Sequence, residues 1–360
     1  MKKNFLFVMV TAAIFAGCSN SDVADEKEGA NNPAVHPNGE VEVLLGAKGI
    51  SASVTPTRGI VNGWDNTPIN VWGLDKAANA NWSNTSSLLF PDGVVKGKVI
   101  DTEGTVVLGE TGTETYYYPM SSSVNFSFFA CSPEPKSKTK NDHQITAIYD
   151  FKGDTDILWG KAETKDPAAN GYNAKYIRNS TDDYIPNLAF EHMLTKLMFY
   201  AYKGKEQNNA GNVKASVKSV RILNVPGQAT VYVAGIKENQ IEGSVLTNFP
   251  IYNNGVEFGS DSDQKSPVTP TVEDKGASLG TVMLLPAVSY TLEVTLVDEV
   301  TKEEVVSDPL TITLDENLSF ERGKGYNVQL MVYDLRKVEL KATLTKWQDS
   351  TSIDTTVDIN

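Results

Sequence analysis

The stretch that decides the fold is Leu188-Ala189-Phe190-Glu191-His192-Met193-Leu194-Thr195-Lys196-Leu197, LAFEHMLTKL. Its apolar residues suit a short helix by spacing and suit a strand equally, so periodicity alone does not choose. Its surroundings do. Upstream run PINVWGL, VVKGKVI, TVVLG, ETYYYP, VNFSFFA, QITAIYDF and DILWGKA, each short and rich in β-branched or aromatic residues. Each is bounded by Gly, Asn, Asp, Pro or Ser, as strands are. Downstream, ASVKSVRIL, ATVYVAG, GTVMLLPA, SYTLEVTLVD, DPLTITLD, GYNVQLMVYDL and KVELKATLTKW repeat the pattern. Short strands at about ten-residue spacing, without long amphipathic helices between them, predict an all-β chain of sandwich or barrel type.

A polar run from Lys161 to Asp183 divides the strands into two groups and predicts two β domains, 59–184 and 185–360. The length of 360 residues is ample for two domains. A hydrophobic content of 40% with 21% charged residues is that of a globular protein. The net charge of −13 argues against a nucleic-acid partner, which needs a basic stripe, and fits a solvated acidic exterior.

The N-terminus, MKKNFLFVMVTAAIFAGCSN, has two lysines, an apolar run from Phe5 to Ala16, and small residues before Cys18. The run is shorter than the roughly 20 apolar residues that span a bilayer, and its layout is that of a signal peptide over 1–18. Phe15-Ala16-Gly17-Cys18 resembles a bacterial lipoprotein signal, in which the cysteine is acylated, although Phe15 stands where Leu is usual. With Cys18 lipidated, Cys131 in Phe128-Phe129-Ala130-Cys131 has no partner for a disulfide and reads as a small buried hydrophobe. Residues 19–40 are polar and acidic and predict a flexible tether.

Two features ask for a common explanation. Val41, Val43 and Leu45, then Ile50, Ala52 and Val54, alternate as strands do, and Thr55-Pro56-Thr57-Arg58-Gly59-Ile60 follows. Pro56 and Gly59 disfavour regular structure and expose the loop, so 41–58 reads as a strand followed by a protease-sensitive turn. At the other end Ile353, Thr355, Val357 and Ile359 alternate with polar residues up to Asn360. Chain ends usually fray, and one that keeps a strict period of two wants a sheet to join.

In its lipoprotein start, its arginine-containing segment before Trp64 and its strand Ile69-Asn70-Val71-Trp72, the chain resembles the fimbrillin family of anaerobic Gram-negative bacteria. Further shared pieces are Tyr116-Tyr117-Tyr118-Pro119, Val124-Asn125-Phe126, Phe128-Phe129, Asp156-Ile157-Leu158-Trp159-Gly160-Lys161-Ala162 and 188–197 itself. Gly325-Tyr326-Asn327-Val328 and Leu344-Thr345-Lys346-Trp347 complete the order. The resemblance implies two transthyretin-like β-sandwich domains in tandem, and export as an outer-membrane lipoprotein lipidated at Cys18. It further implies removal of the strand from about Val41 to Val54 by an arginine-specific or trypsin-like protease cutting at Arg58-Gly59. The vacated groove would then accept Ile353, Thr355, Val357 and Ile359 of another copy or a related pilin, building a fibre that supports adhesion. A stalk subunit is the leading role; a membrane-retained anchor subunit is the alternative.

Catalytic and cofactor motifs give little, and no enzyme, cofactor or metal is expected. Gly276-Ala277-Ser278-Leu279-Gly280 matches the nucleophile elbow, but a strand follows it and the last histidine, His192, lies upstream. His36, His143 and His192 have no zinc-type spacing, and His192 reads as a hydrogen-bonded structural residue. Asp154 with Asp156, and Asp261 with Asp263, lack the spacing of a calcium loop. Trp64 and Trp82 sit in polar surroundings and keep open a rival reading, a surface glycan-binding lipoprotein.

Overall fold

A computed structural model describes residues 32–49, 64, 66–120, 123–165, 170–204, 215–272, 275–314 and 318–345. Five strands come first: β1 (Leu45–Lys48), β2 (Thr67–Asp75), β3 (Val95–Val99), β4 (Thr105–Leu108) and β5 (Phe126–Ser132). Next are β6 (Ser137–Lys140), β7 (Gln144–Asp150), β8 (Leu158–Ala162), β9 (Asn187–His192) and β10 (Thr195–Lys203). The rest are β11 (Ala215–Gly235), β12 (Gln240–Pro250), β13 (Tyr252–Asn253), β14 (Val256–Glu257) and β15 (Ala277–Leu284), then β16 (Ser289–Asp298), β17 (Glu304–Val306), β18 (Leu310–Thr313), β19 (Gly325–Asp334) and β20 (Lys337–Thr345). One short α-helix, α1 (Ala174–Asn179), starts at Asn173, whose side chain accepts from the Tyr176 N–H at 2.8 Å.

The all-β class expected from the sequence is what the chain adopts. LAFEHMLTKL is strand, turn and strand. Leu188 and Phe190 of β9 face a core while Ala189 and Glu191 face water, a period of two, and Met193 and Leu194 carry the chain, buried, into β10.

Hydrogen bonds link seven strands in a closed ring, in the order β1-β4-β3-β2-β5-β8-β9. Val71, Phe128, Ala130 and Leu158 line its interior, whereas their neighbours Trp72, Phe129, Cys131 and Trp159 belong to a second core outside it. That second core is also built by a sheet in the order β14-β13-β15-β10-β19-β20 and a sheet in the order β17-β16-β11-β7-β6. The two units interleave along the chain. Strands β6 and β7 pair with the second unit through β11, and β9 closes the first. The strands therefore do not change sheets at the expected division between 184 and 185.

Strand β11 explains the interleaving. One edge pairs with β16 over Ala215–Leu223 and then with β7 over Gln228–Gly235. Pro226-Gly227 lies where the neighbour changes, a place at which a residue without an N–H does least harm to the ladder.

Cys131, as expected, is fully buried and unpaired, and burial pushes its thiol up to about 12. Thiolate is the species that alkylates. Native protein at mildly alkaline pH is therefore expected to leave Cys131 unmodified by iodoacetamide and to expose it only in denaturant; mass mapping of the alkylated peptides checks this.

Candidate functional site

The residues that carry the expected strand removal lie at the N-terminal edge of the ring. Strand β1, four residues long like β4, is one of its two shortest staves. It pairs antiparallel with β4 (Leu45 opposite Val106, Gly46 opposite Thr105) and parallel with β9 (Gly46, Ala47 and Lys48 opposite Asn187, Leu188 and Ala189). Ahead of it, the Val43 N–H donates to the Tyr116 carbonyl at 2.8 Å, and the Tyr118 N–H to the Val41 carbonyl at 2.9 Å. The segment 41–48 is thus hydrogen-bonded along its whole length.

Val41, Val43, Leu45 and Ala47, at 0, 4, 5 and 3% exposure, enter the ring's interior beside Trp64, Phe90, Tyr118, Phe128 and Phe190. Alternate side chains inward, with ladder bonds on both sides, is the arrangement of a strand inserted in a groove. Were it withdrawn, β4 and β9 would face each other across an apolar slot with unsatisfied N–H and C=O groups.

The stave has a lock that sequence reading missed. Residues 32–40, expected to belong to the tether, fold back: Val35 bridges Val41, and the Glu42 N–H donates to the Ala34 carbonyl at 2.8 Å. Ala34 is fully buried, and the Asn32 amide donates to the Ile177 carbonyl at 2.8 Å. Arg178, in the last turn of α1, donates to the Gly39 carbonyl at 2.6 Å, and His36 Nε2 meets Glu42 Oε2 at 2.8 Å. The Asn32–Ile177 and Arg178–Gly39 bonds join residues about 140 apart in sequence, which composition cannot show.

Two glycines fit the stave to its walls. Gly104, at φ +88°, accepts the Ala47 N–H at 2.7 Å, and a Cβ there would stand 1.8 Å from the Ala47 carbonyl oxygen. A Cβ on Gly46 would stand 2.3 Å from Asn187 Oδ1. The wall at Gly104 admits no side chain, because a Cβ there meets backbone, whereas one on Gly46 requires the Asn187 side chain to turn aside.

Cys18, Arg58, Gly59, Ile353, Thr355, Val357 and Ile359 lie outside the described residues. Arg58-Gly59 falls between two described anchors, Gly49 at the end of the stave and Trp64, which is buried with its indole edge-on to Phe190 at 5.0 Å between centroids. Burial removes Trp64 from any sugar-stacking surface. Trp82 is half-buried, its indole N–H donating to the Asp75 carbonyl at 3.0 Å. His192 bonds Asp156, whose wholly buried carboxylate also accepts the Ile157 N–H at 2.8 Å. Asp263 accepts the Gly259 N–H at 3.0 Å and the Lys265 N–H at 2.9 Å, as a turn residue does. Gly276–Gly280 runs into strand β15 and not into the strand-turn-helix of a nucleophile elbow.

The profile of the family described as fimbrillin-like matches residues 57–347. The chain belongs to the fimbrillin-like family. Similar solved structures include a candidate cell adhesion protein from Bacteroides uniformis ATCC 8492, at 17% identity and a TM-score of 0.51, covering 87% of this chain and 100% of that one. A fimbrial protein from Bacteroides vulgatus ATCC 8482 is similar at 13% identity and a TM-score of 0.50, covering 85% of this chain and 99% of that one. At such identities the likeness is one of fold. No curated protein matches the chain in sequence. The segment 32–48 lies ahead of the residues that the fimbrillin-like profile matches.

Proposed function

We propose that this fimbrillin-like chain is a subunit of a cell-surface fimbria, exported as an outer-membrane lipoprotein through Cys18 and polymerised by strand exchange. A trypsin-like or arginine-specific protease cuts at Arg58-Gly59, the segment ending at Lys48 leaves the ring, and the tail of another copy or a related subunit takes its place. The observation that supports this reading is the seat of 41–48: β1 pairs with β4 on one side and β9 on the other, 41–43 bond to Tyr116–Tyr118, and Val41, Val43, Leu45 and Ala47 point inward. Ile353, Thr355, Val357 and Ile359 repeat that period, and each large apolar residue brought out of water contributes about 1.5–3 kcal/mol. A contact of that head-to-tail kind does not close on itself and propagates as a filament. The stalk role is favoured over the anchor because both Arg58 and a patterned tail are present.

Trypsin treatment of the purified chain is expected to yield a new N-terminus at Gly59 by mass spectrometry, followed by a ladder of polymers. Arg58→Ala stays uncut there and monomeric, and deletion of Ile353–Asn360 gives folded monomers that do not donate. Protein cut at Gly59 that keeps its 41–58 fragment and never polymerises would overturn the proposal.

A further inference from the structure

Sheet edges are templates for further strands, and folded proteins blunt them by brevity or by charge. Most of this chain's edges follow that rule. Strand β6 is four residues with Lys138 and Lys140, β14 is two residues, and β17 and β18 are three and four. Strand β20 carries Lys337, Glu339 and Lys341 in alternation. The ring has no open edge.

Strand β12 breaks the rule. It is eleven residues long, QIEGSVLTNFP, and among the described residues it pairs only with β11. Its one charge, Glu242, is occupied by Lys237 Nζ at 2.7 Å and the Tyr232 hydroxyl at 2.7 Å. From Gly243 to Phe249 there is no ionisable side chain, and Glu242 to Asn248 are exposed on both faces. Val245 takes φ +56° within a ladder to β11 that continues on both sides of it, Leu246 opposite Pro226 and Ser244 opposite Gln228, and Val245 and Leu246 stand 67 and 68% exposed. Beside this edge lies a cleft of about 460 Å³, lined by Ile241 and Gly243 of β12, Val225 and Pro226 of β11, and Leu285 and Tyr290.

We infer that the outer edge of β12 is a self-association surface, on which β12 of a second copy adds antiparallel. Three considerations select a second copy over another occupant. Chains of net charge −13 repel one another, so copies meet with least cost along a strip without charge, and Gly243–Phe249 is such a strip. Both strands are already ordered, so pairing forfeits little conformational entropy, whereas a disordered peptide would have to be fixed on arrival. An antiparallel pair about a two-fold axis brings the central Val245-Leu246 of one copy against the same residues of the other, as isologous contacts require. One strand pair covers much less than the roughly 1,200 Å² of a stable complex, so the association is weak between single molecules and gains strength by repetition wherever copies are arrayed. In a filament this edge would bind filaments side by side. The contact itself belongs to the uncut chain and does not depend on strand exchange.

Sedimentation velocity on the uncut full chain, from micromolar to millimolar concentration, tests this. Wild-type protein is expected to shift reversibly from monomer towards dimer as concentration rises. Leu246→Lys, and separately Val245→Lys, places like charges across the two-fold and is expected to weaken association about tenfold or more. Val300→Lys, a change at another exposed valine, leaves it unaltered. Unchanged thermal unfolding of all three variants confirms that the fold is intact. A wild-type chain that stays monomeric throughout, or β12 variants that associate as wild type does, overturns the inference, whatever the outcome of cutting at Arg58.

Discussion

In a Gly104→Ala variant, the amides of Val43 to Lys48 are expected to exchange with solvent about 30- to 100-fold faster than in wild type, while those of β15 and β19 keep their protection. The reason is local. An alanine at φ +88° gives up about 1–2 kcal/mol against glycine. Its Cβ, 1.8 Å from the Ala47 carbonyl oxygen, forces the stave away and breaks the bond from the Ala47 N–H, worth about 1 kcal/mol more. The sum, roughly 2–3 kcal/mol, raises the unseated fraction by about one and a half to two powers of ten. Hydrogen exchange followed by mass spectrometry resolves the peptide containing β1 from the rest. Equal protection in both proteins would mean that the wall at Gly104 does not hold the stave.

The same substitution separates two steps of the proposed assembly. A looser stave is expected to hasten cutting at Arg58. An incoming strand would meet the same Cβ that displaced the original, so acceptance is expected to fall. More cleavage with less polymer is the signature of a damaged groove. More cleavage with more polymer would place the incoming strand clear of Gly104.

Much of the fold was legible because its strands are short, β-branched and aromatic, and are punctuated by turn residues. What escaped did so for physical reasons. Phe126–Ser132 does not alternate, because one face lines the ring and the other lies against the second core, so every residue is buried. Strand β11 read as two strands, since Pro226-Gly227 has turn chemistry; only the change of neighbour from β16 to β7 makes Pro harmless there. Strand β12 has neither alternation nor a run of β-branched residues, because neither face of its middle is buried. Residues 32–40 looked like a linker by composition and are held by backbone bonds, Asn32 and Arg178. At the candidate site, the inward residues Val41, Val43 and Leu45 were readable as a strand. Their walls, Gly104, Tyr116–Tyr118 and Asn187–Ala189, were not, since pairing across so many residues leaves no local trace.

Trp159→Ala is expected to lower global stability by about 3–5 kcal/mol, a large part of the roughly 5–15 kcal/mol that a domain possesses. Trp159 sits on β8 in the ring wall, 5% exposed, opposite Cys131 and Glu191, and its side chain belongs to the core outside the ring. Its indole N–H donates to the Val233 carbonyl of β11 at 2.8 Å. One residue therefore joins the ring to the second unit by both area and hydrogen bond. Truncation leaves a cavity that two sheets cannot both relax into, and a buried carbonyl loses its donor. Trp159→Phe separates the terms: it keeps most of the apolar volume, removes the donor, and is expected to cost about 1–3 kcal/mol. Urea unfolding monitored by circular dichroism gives both values. Equal losses for Ala and Phe would assign the whole effect to the hydrogen bond. A loss under about 1 kcal/mol for Ala would show that the two units stand without this joint. The consequence reaches the stave, because β8 pairs with β9, and β9 is one of the two walls that hold β1. A ring released from β11 at Trp159 would let β9 shift, and trypsin sensitivity at Arg58 should rise together with the fall in stability.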